Sequence, residues 1–297
     1  MSDHPRQVRI VDVFTEKALA GNQLAVVLDG RDMPSDLMQK IAREMNFSET
    51  TFILPPDDAS HAARVRIFNP EFEMQFAGHP TIGTAWVMHH EGMVDSLEFT
   101  LEERVGPVPV RGVRRGDQIQ FWMTFPALGY GEVFPHGELA GAIGLAQSDV
   151  VANVPAQVAT TGTPFLFMAL STKRAVDAAV ADPARLAPLL HEKAIALFIF
   201  TVVGKHRLYS RCLGIEIPED AATGSASGPL GAFAVKYGLV ARAPEVTIIS
   251  EQGTKMGRQS FLHISLTYDD DAEIPSRVEV GGFVMPVLSG TLSNFGR

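Results

Sequence analysis

Two stretches of this chain can be accommodated only inside a protein. Thr81 to Met88 and Ser225 to Val235 carry no charged residue, whereas a helix lying on a surface needs a polar face toward water. Each stretch begins with a Gly beside a polar residue, passes through small residues into an apolar run, and ends at a Gly suited to a left-handed C-cap, Gly92 or Gly238. Both read as central helices, with Gly83, Ala85, Ala226, Gly228, Gly231 and Ala232 small enough to let an enclosing sheet come close. Two unrelated core helices would have the same composition. The shared layout of Phe76–Gly92 and Ala221–Gly238, about half the chain apart, also fits a weak internal duplication.

Enclosing a helix has a chemical consequence. Its first-turn N–H groups have no acceptor within the helix, and buried donors without acceptors are costly. Two such helix starts facing one another across a domain junction would make a pocket for a small carboxylate, with Gly78, Gly83, Gly224 and Ser225 keeping the backbone accessible. The net charge of -9 argues against nucleic acid, which selects a basic face. It does not argue against a small anion, because the field of a helix terminus is short-ranged.

Around these helices the pattern is rich in strands. The first half predicts strands over Val8–Phe14, Leu24–Leu28, Thr50–Leu54, Arg64–Phe68, Leu97–Leu101, Val108–Val113 and Gln118–Phe125, with a helix from Ser35 to about Met45 for which Ser35 is the expected N-cap. The second half predicts strands near Val158–Thr160, Phe165–Ala169, Ala196–Val203, Leu208–Cys212, Val246–Ser250 and Phe261–Leu266. This is an α+β or mixed α/β chain, and 297 residues suit two domains. Gly129, Gly131 and the prolines of Pro126–Pro135 interrupt any periodicity there. The boundary is accordingly expected between an N-terminal domain of residues 1–127, to which a C-terminal strand over 284–297 could return, and a C-terminal domain of residues 128–283.

Composition removes several classes. One thiol, Cys212, builds no disulfide scaffold, four-thiolate zinc site or iron-sulfur cluster within the chain. It also cannot supply the two opposed cysteines that some racemases use as acid and base, and within an apolar strand it reads as inert packing. A hydrophobic content of 46% is too high for global disorder. The polar start from Met1 to Gln7 shows no export signal, and the longest apolar run, Ala194 to Val203, is far short of a membrane span. A cytoplasmic protein without membrane partners is expected. No P-loop lysine, dinucleotide fingerprint, G-x-S-x-G or metal-ligand spacing is present, so neither cofactor nor metal is expected. The adjacent His89 and His90, near a helix C-terminus, read as structural.

Three residues near the helix starts carry candidate chemistry. Glu49 lies in NFSETTF, between a helix and a strand. By position it reads either as a solvated carboxylate, the commoner case, or as a general acid or base desolvated at a domain junction. His79 precedes Pro80 at the start of the first central helix, where the positive end of the dipole opposes protonation. It reads equally as a packing histidine and as a neutral hydrogen-bond donor. Asp220, shortly before the second helix, reads as a turn or N-cap carboxylate or as a further acid/base group.

Read together, VDVFT (Val11–Thr15), GNQLAVVL (Gly21–Leu28), IAREMNFSETTFILP (Ile41–Pro55), RIFNP (Arg66–Pro70), FAGHPTIGTA (Phe76–Ala85), DAATGSASG (Asp220–Gly228), SEQGTKMGRQS (Ser250–Ser260) and VGG (Val280–Gly282) resemble the PhzF-like isomerases of the diaminopimelate epimerase-like superfamily. The segments span nearly the whole chain in the family's order. The resemblance implies two pseudo-symmetric domains, each a curved mixed sheet wrapped round one central helix, with the active site in the cleft between them. It also implies a cofactor-independent isomerase and a homodimer. The family's best-understood type moves a proton within a cyclic dihydroxy amino acid in phenazine biosynthesis.

By matching position, the resemblance makes Glu49 the catalytic acid/base, supported by His79 and Asp220. It puts Asn22, Gly78, Gly224, Ser225 and Gln252 at the substrate, a small anionic metabolite held by helix N-terminal amides. Where the superfamily's racemases place cysteines, this chain has Gly78 and Asp220. Where the family commonly has proline it has Gln23, Gln75, Ala221 and Gln259, so substrate identity stays open. A racemase, epimerase or dehydratase using the same carboxylates is the nearest rival within enzymes, and a noncatalytic metabolite-binding protein is the rival outside them.

Overall fold

Runs of β-branched and aromatic residues bounded by turn residues become strands throughout the computed structural model, which describes residues 5–214 and 219–293. The described residues form a mixed α/β fold, mostly strands, with six α-helices. They divide into two compact units, one holding the residues up to Thr124 and from Gly281 onward, the other holding Phe125 to Val280.

The first unit contains β1 (Arg6–Val13), β2 (Asn22–Val27), α1 (Ser35–Met45), β3 (Glu49–Leu54), β4 (Ala63–Phe68), β5 (Glu73–Met74), α2 (Gly78–His90), β6 (Glu98–Glu103), β7 (Gly106–Arg115) and β8 (Gln118–Thr124). The second contains β9 (Gly129–Phe134), α3 (His136–Ala142), β10 (Ala156–Thr160), β11 (Pro164–Ala169), α4 (Lys173–Ala178), α5 (Pro183–Leu190), β12 (Ala196–Gly204), β13 (Arg207–Gly214), α6 (Gly224–Lys236), β14 (Glu245–Gln252) and β15 (Ser260–Thr267). After β16 (Arg277–Gly282), along which the chain passes from the second unit back to the first, β17 (Val284–Leu292) pairs antiparallel with β1. Of the C-terminal strand expected over 284–297, residues 294–297 lie outside the described residues, as do residues 1–4 of the polar start.

The pairings within each unit follow one scheme. In the first, β1 and β2 are antiparallel, β2 and β3 parallel across α1, β3 and β4 antiparallel, β4 and β6 parallel across α2, and β6 and β7 antiparallel. In the second, β10 and β11 are antiparallel, β11 and β12 parallel across α4 and α5, β12 and β13 antiparallel, β13 and β14 parallel across α6, and β14 and β15 antiparallel. Parallel neighbours need a crossover segment. The helices α2 and α6, the latter charged only at its final Lys236, fill the same crossover in their respective units.

Burial of α2 and α6 is nearly all-round, and glycine makes it possible. A Cβ on Gly83 would stand 2.5 Å from Leu24 Cδ2 and 2.8 Å from Val13 Cγ2, while one on Gly228 or Gly231 would stand 2.7 Å from Val278 Cγ1 or Ile264 Cγ2. Strand side chains thus rest directly on helix backbone. Both helices end in the same way, with Gly92 and Gly238 at positive φ. In each case the next amide reaches back to a carbonyl of the last turn, Met93 to Met88 and Leu239 to Ala234, closing a Schellman motif.

Two local expectations are corrected. The N-cap of α1 is Pro34, not Ser35. Ser35 is already inside the helix, and its hydroxyl accepts a hydrogen bond of 2.9 Å from Arg66, a partner supplied by β4 rather than by the helix. The stretch Pro126–Pro135, expected to be irregular, contains β9. Its Gly131 sits where a Cβ would meet Val158 at 3.1 Å, so the glycine that broke the sequence pattern permits the approach to β10.

Candidate active site

In the first unit, three chain segments bring Asn22, Glu49 and His79 together. Gly21, at φ +69, turns the chain into β2 where any Cβ would strike the Val13 carbonyl; Asn22 follows as the first residue of that strand. Glu49 is the first residue of β3 and stands in register with Leu24 of β2. His79 is the second residue of α2. Its Nε2 lies 3.3 Å from Glu49 Oε2 and 3.3 Å from the Gln23 carbonyl oxygen, and its Nδ1 lies 3.2 Å from Asn22 Nδ2.

The burial of these groups is graded. The His79 side chain is 4% exposed and that of Glu49 14%, so the carboxylate retains a face that a ligand can reach while the imidazole does not move freely. Gly78 and His79 lie in the first turn of α2, which contains no acidic residue of its own, so the positive end of the helix dipole acts on this group and the Glu49 carboxylate is the charge that faces it.

Behind His79 the helix start rests on a buried acid that sequence reading did not single out. The Thr81 hydroxyl is 2.8 Å from the Ala77 carbonyl oxygen and 2.5 Å from Glu103 Oε1. Burial pushes the Glu103 carboxyl up to about 8, with the Thr81 contact opposing part of the rise. The sequence signal was weak, since EER (Glu102–Arg104) reads as an exposed charge run.

In the second unit, Asp220 precedes α6 and is tied down by Thr223 and Gln252. The Thr223 hydroxyl donates to Asp220 Oδ2 at 2.7 Å. The amide of Gln252, a fully buried residue, accepts from Thr223 N–H at 3.0 Å and donates to the Asp220 carbonyl and the Thr223 hydroxyl, each at 2.9 Å. The amide is thus spent on holding the turn, with Thr223 as N-cap of α6 and Gly224 and Ser225 in its first turn. Gly253, at φ +73, allows this packing because a Cβ there would strike the carbonyls of Arg258 and Ala221.

A second clamp holds the residue beside Asp220. Arg211 of β13 makes a bidentate pair with Glu219 at 2.7 and 2.8 Å and donates to the carbonyls of Val176 and Ala179 at the end of α4, each at 2.8 Å. An arginine inside the apolar run LYSRCLG was the available signal. Cys212 is buried next to it, and burial, with Asp220 nearby, pushes its thiol up. His90 stacks on Trp86 with centroids 4.5 Å apart and His89 packs against Phe121. Among the described residues no group of three or more His, Cys, Asp or Glu could hold a metal ion, and no helix is long and apolar enough to cross a membrane.

Residues 11–290 match the family model described as phenazine biosynthesis-like protein, PhzC-PhzF. The chain is 34% identical over 302 residues to an uncharacterized isomerase of Mesorhizobium japonicum, covering 97% of this chain and 98% of that protein. It is 34% identical over 277 residues to the trans-2,3-dihydro-3-hydroxyanthranilate isomerase of Pseudomonas aeruginosa, covering 92% of this chain and 94% of the relative. Among solved structures, the Bacillus anthracis phenazine biosynthesis protein of the PhzF family superposes with a TM-score of 0.87 at 24% identity, covering 98% of this chain and all of that one.

Proposed function

We propose, given that the chain belongs to the PhzF family of isomerases, that it moves a proton within a small carboxylate-bearing metabolite without a cofactor, using Glu49 as the group that takes the proton from carbon and returns it elsewhere on the same face. His79 and Asp220 orient the substrate and assist further proton movement. The first-turn N–H groups of α2 at Gly78 and of α6 at Gly224 and Ser225 receive the substrate carboxylate, as helix starts do. This carries with it the finer fold expectation of two pseudo-symmetric domains, each a curved sheet wrapped round one central helix, and a homodimer that sedimentation would test.

The observation that supports the reading most directly is the position of the Glu49 carboxylate, 3.3 Å from His79 on the first turn of α2 and only partly exposed. A merely solvated loop glutamate would have neither a histidine partner nor that burial. Gln252, whose amide is committed to Asp220 and Thr223, enters the proposal as a residue that shapes the second helix start.

The 34% identical relative from P. aeruginosa supplies the first compound to try, trans-2,3-dihydro-3-hydroxyanthranilate. In heavy water the protein should convert it with deuterium placed on a ring carbon. Glu49→Gln should lower that transfer by at least about 10²-fold, the scale of a lost general acid or base, while a ligand-dependent rise in Tm persists. Transfer that survives the substitution rules out Glu49 as the proton carrier. Absence of turnover with this compound, alongside a Tm rise with a different carboxylate, moves the substrate and leaves the chemistry in place.

A further inference from the structure

We propose that Asn22 is a positioning residue that selects the tautomer of His79, so that the imidazole turns a positively polarised N–H edge rather than a lone pair toward Glu49. The argument is a matching of donors to acceptors around one ring. Asn22 Nδ2 is a donor only, and at 3.2 Å it faces Nδ1; Nδ1 must then present its lone pair. Nε2 faces two oxygens that can only accept when Glu49 is ionised, the Gln23 carbonyl and Glu49 Oε2, both at 3.3 Å. One neutral tautomer, with its hydrogen on Nε2, satisfies both ring hydrogen bonds, to Asn22 and to the Gln23 carbonyl, and keeps the Nε2 lone pair away from the Glu49 carboxylate beside it.

The opposite arrangement is electrostatically penalised. Turning the Asn22 amide so that its oxygen faced Nδ1 would require hydrogen on both ring nitrogens. That makes an imidazolium in the first turn of α2, where the helix dipole opposes positive charge. The ionised Glu49 pulls the other way, and the amide of Asn22 decides the contest by supplying a donor where an imidazolium would need an acceptor. Asn22 is itself held, because it is buried, starts β2 in register with Val13, and follows the positive-φ Gly21.

For its catalytic consequence the inference rests on Glu49 being the proton carrier. His79 then steadies the anionic carboxylate through Nε2–H and leaves proton traffic to Glu49. The tautomer itself does not depend on that reading, and the experiment separates the two.

Ring nitrogen spectra of 15N-labelled protein near pH 7, with the His79 signals assigned by comparison with His79→Gln, should show Nδ1 unprotonated and Nε2 protonated. In Asn22→Asp, where a carboxylate can only accept, Nδ1 should gain a hydrogen. Deuterium transfer to substrate should fall by about 10²-fold in kcat, with KM changing far less. A wild-type ring carrying hydrogen on Nδ1 overturns the proposal without any variant, and so does an Asn22→Asp ring identical to wild type. The expected wild-type tautomer together with deuterium transfer that survives Glu49→Gln upholds the assignment and defeats the Glu49 reading instead.

Discussion

The Thr81 hydroxyl has one hydrogen and faces two oxygens, the Ala77 carbonyl at 2.8 Å and Glu103 Oε1 at 2.5 Å. That single hydrogen is shared between them, so Glu103 Oε1 has at most part of a donor and the buried Oε2 has none among the described residues. This agrees with a carboxyl pushed by burial from its ordinary 4.5 up to about 8. The sign follows from linkage: between those values the folded state holds a proton that the unfolded state has released, so stability falls as pH rises through this window and levels off above it. Glu103→Gln keeps a neutral group there and should make the protein roughly 3–5 kcal/mol more stable than wild type near pH 9, with little difference near pH 4. Urea midpoints across that range would show it, and parallel pH profiles would refute it. At this scale the sequence marked His79 and Asp220 by their places beside helix starts, and Glu49, between a helix end and a strand, through the resemblance. It concealed Glu103, Thr223 and Arg211, because burial of a charged residue depends on what packs over it.

Among the elements, α2 and α6 were the most legible, since a run without charge has few places to go except inside. Their packing makes a prediction against propensity. Alanine is a better helix former than glycine by about 1 kcal/mol, yet Gly83→Ala should destabilise by about 1–3 kcal/mol, because its Cβ would stand 2.5 Å from Leu24 and 2.8 Å from Val13. Chemical denaturation would measure this, and a neutral or stabilising result would mean that β1 and β2 yield. Arg211 ties β13 to the end of α4 and to Glu219. Arg211→Ala would leave those carbonyls and the partly buried Glu219 without their cation, at a cost of roughly 3–5 kcal/mol; a loss within error of zero would show the clamp to be dispensable. Helices α3, α4 and α5 were not anticipated, although Thr172 caps α4, and α5 begins at Pro183 behind Asp182, whose side chain accepts from Ala184 and Arg185. These short helices have little periodicity to announce them, and their caps look like ordinary turn residues until the helix exists.

For the whole molecule, the two units share one order of pairings, and the segments Phe76–Gly92 and Ala221–Gly238 that look alike in sequence each supply a buried crossover helix between parallel strands. Native-state hydrogen exchange should accordingly find the amides of α2 and α6 among the slowest, opening only with global unfolding, while α1, which buries only Met38, Ile41 and Ala42, exchanges earlier. Early exchange in α2 would contradict its role as the centre of its unit. The sequence by itself determined what had to be inside, where helices must stop, and which acid and imidazole stood beside a helix start, because charge, glycine and capping act over a few residues. Only the tertiary structure decided that Asn22 faces Nδ1 of His79, that Gln252 is spent on the Asp220 turn, and that β17 closes against β1. Those depend on strand register between distant segments, and a shift of one residue would turn Asn22 of β2 or Gln252 of β14 to the other face of the sheet.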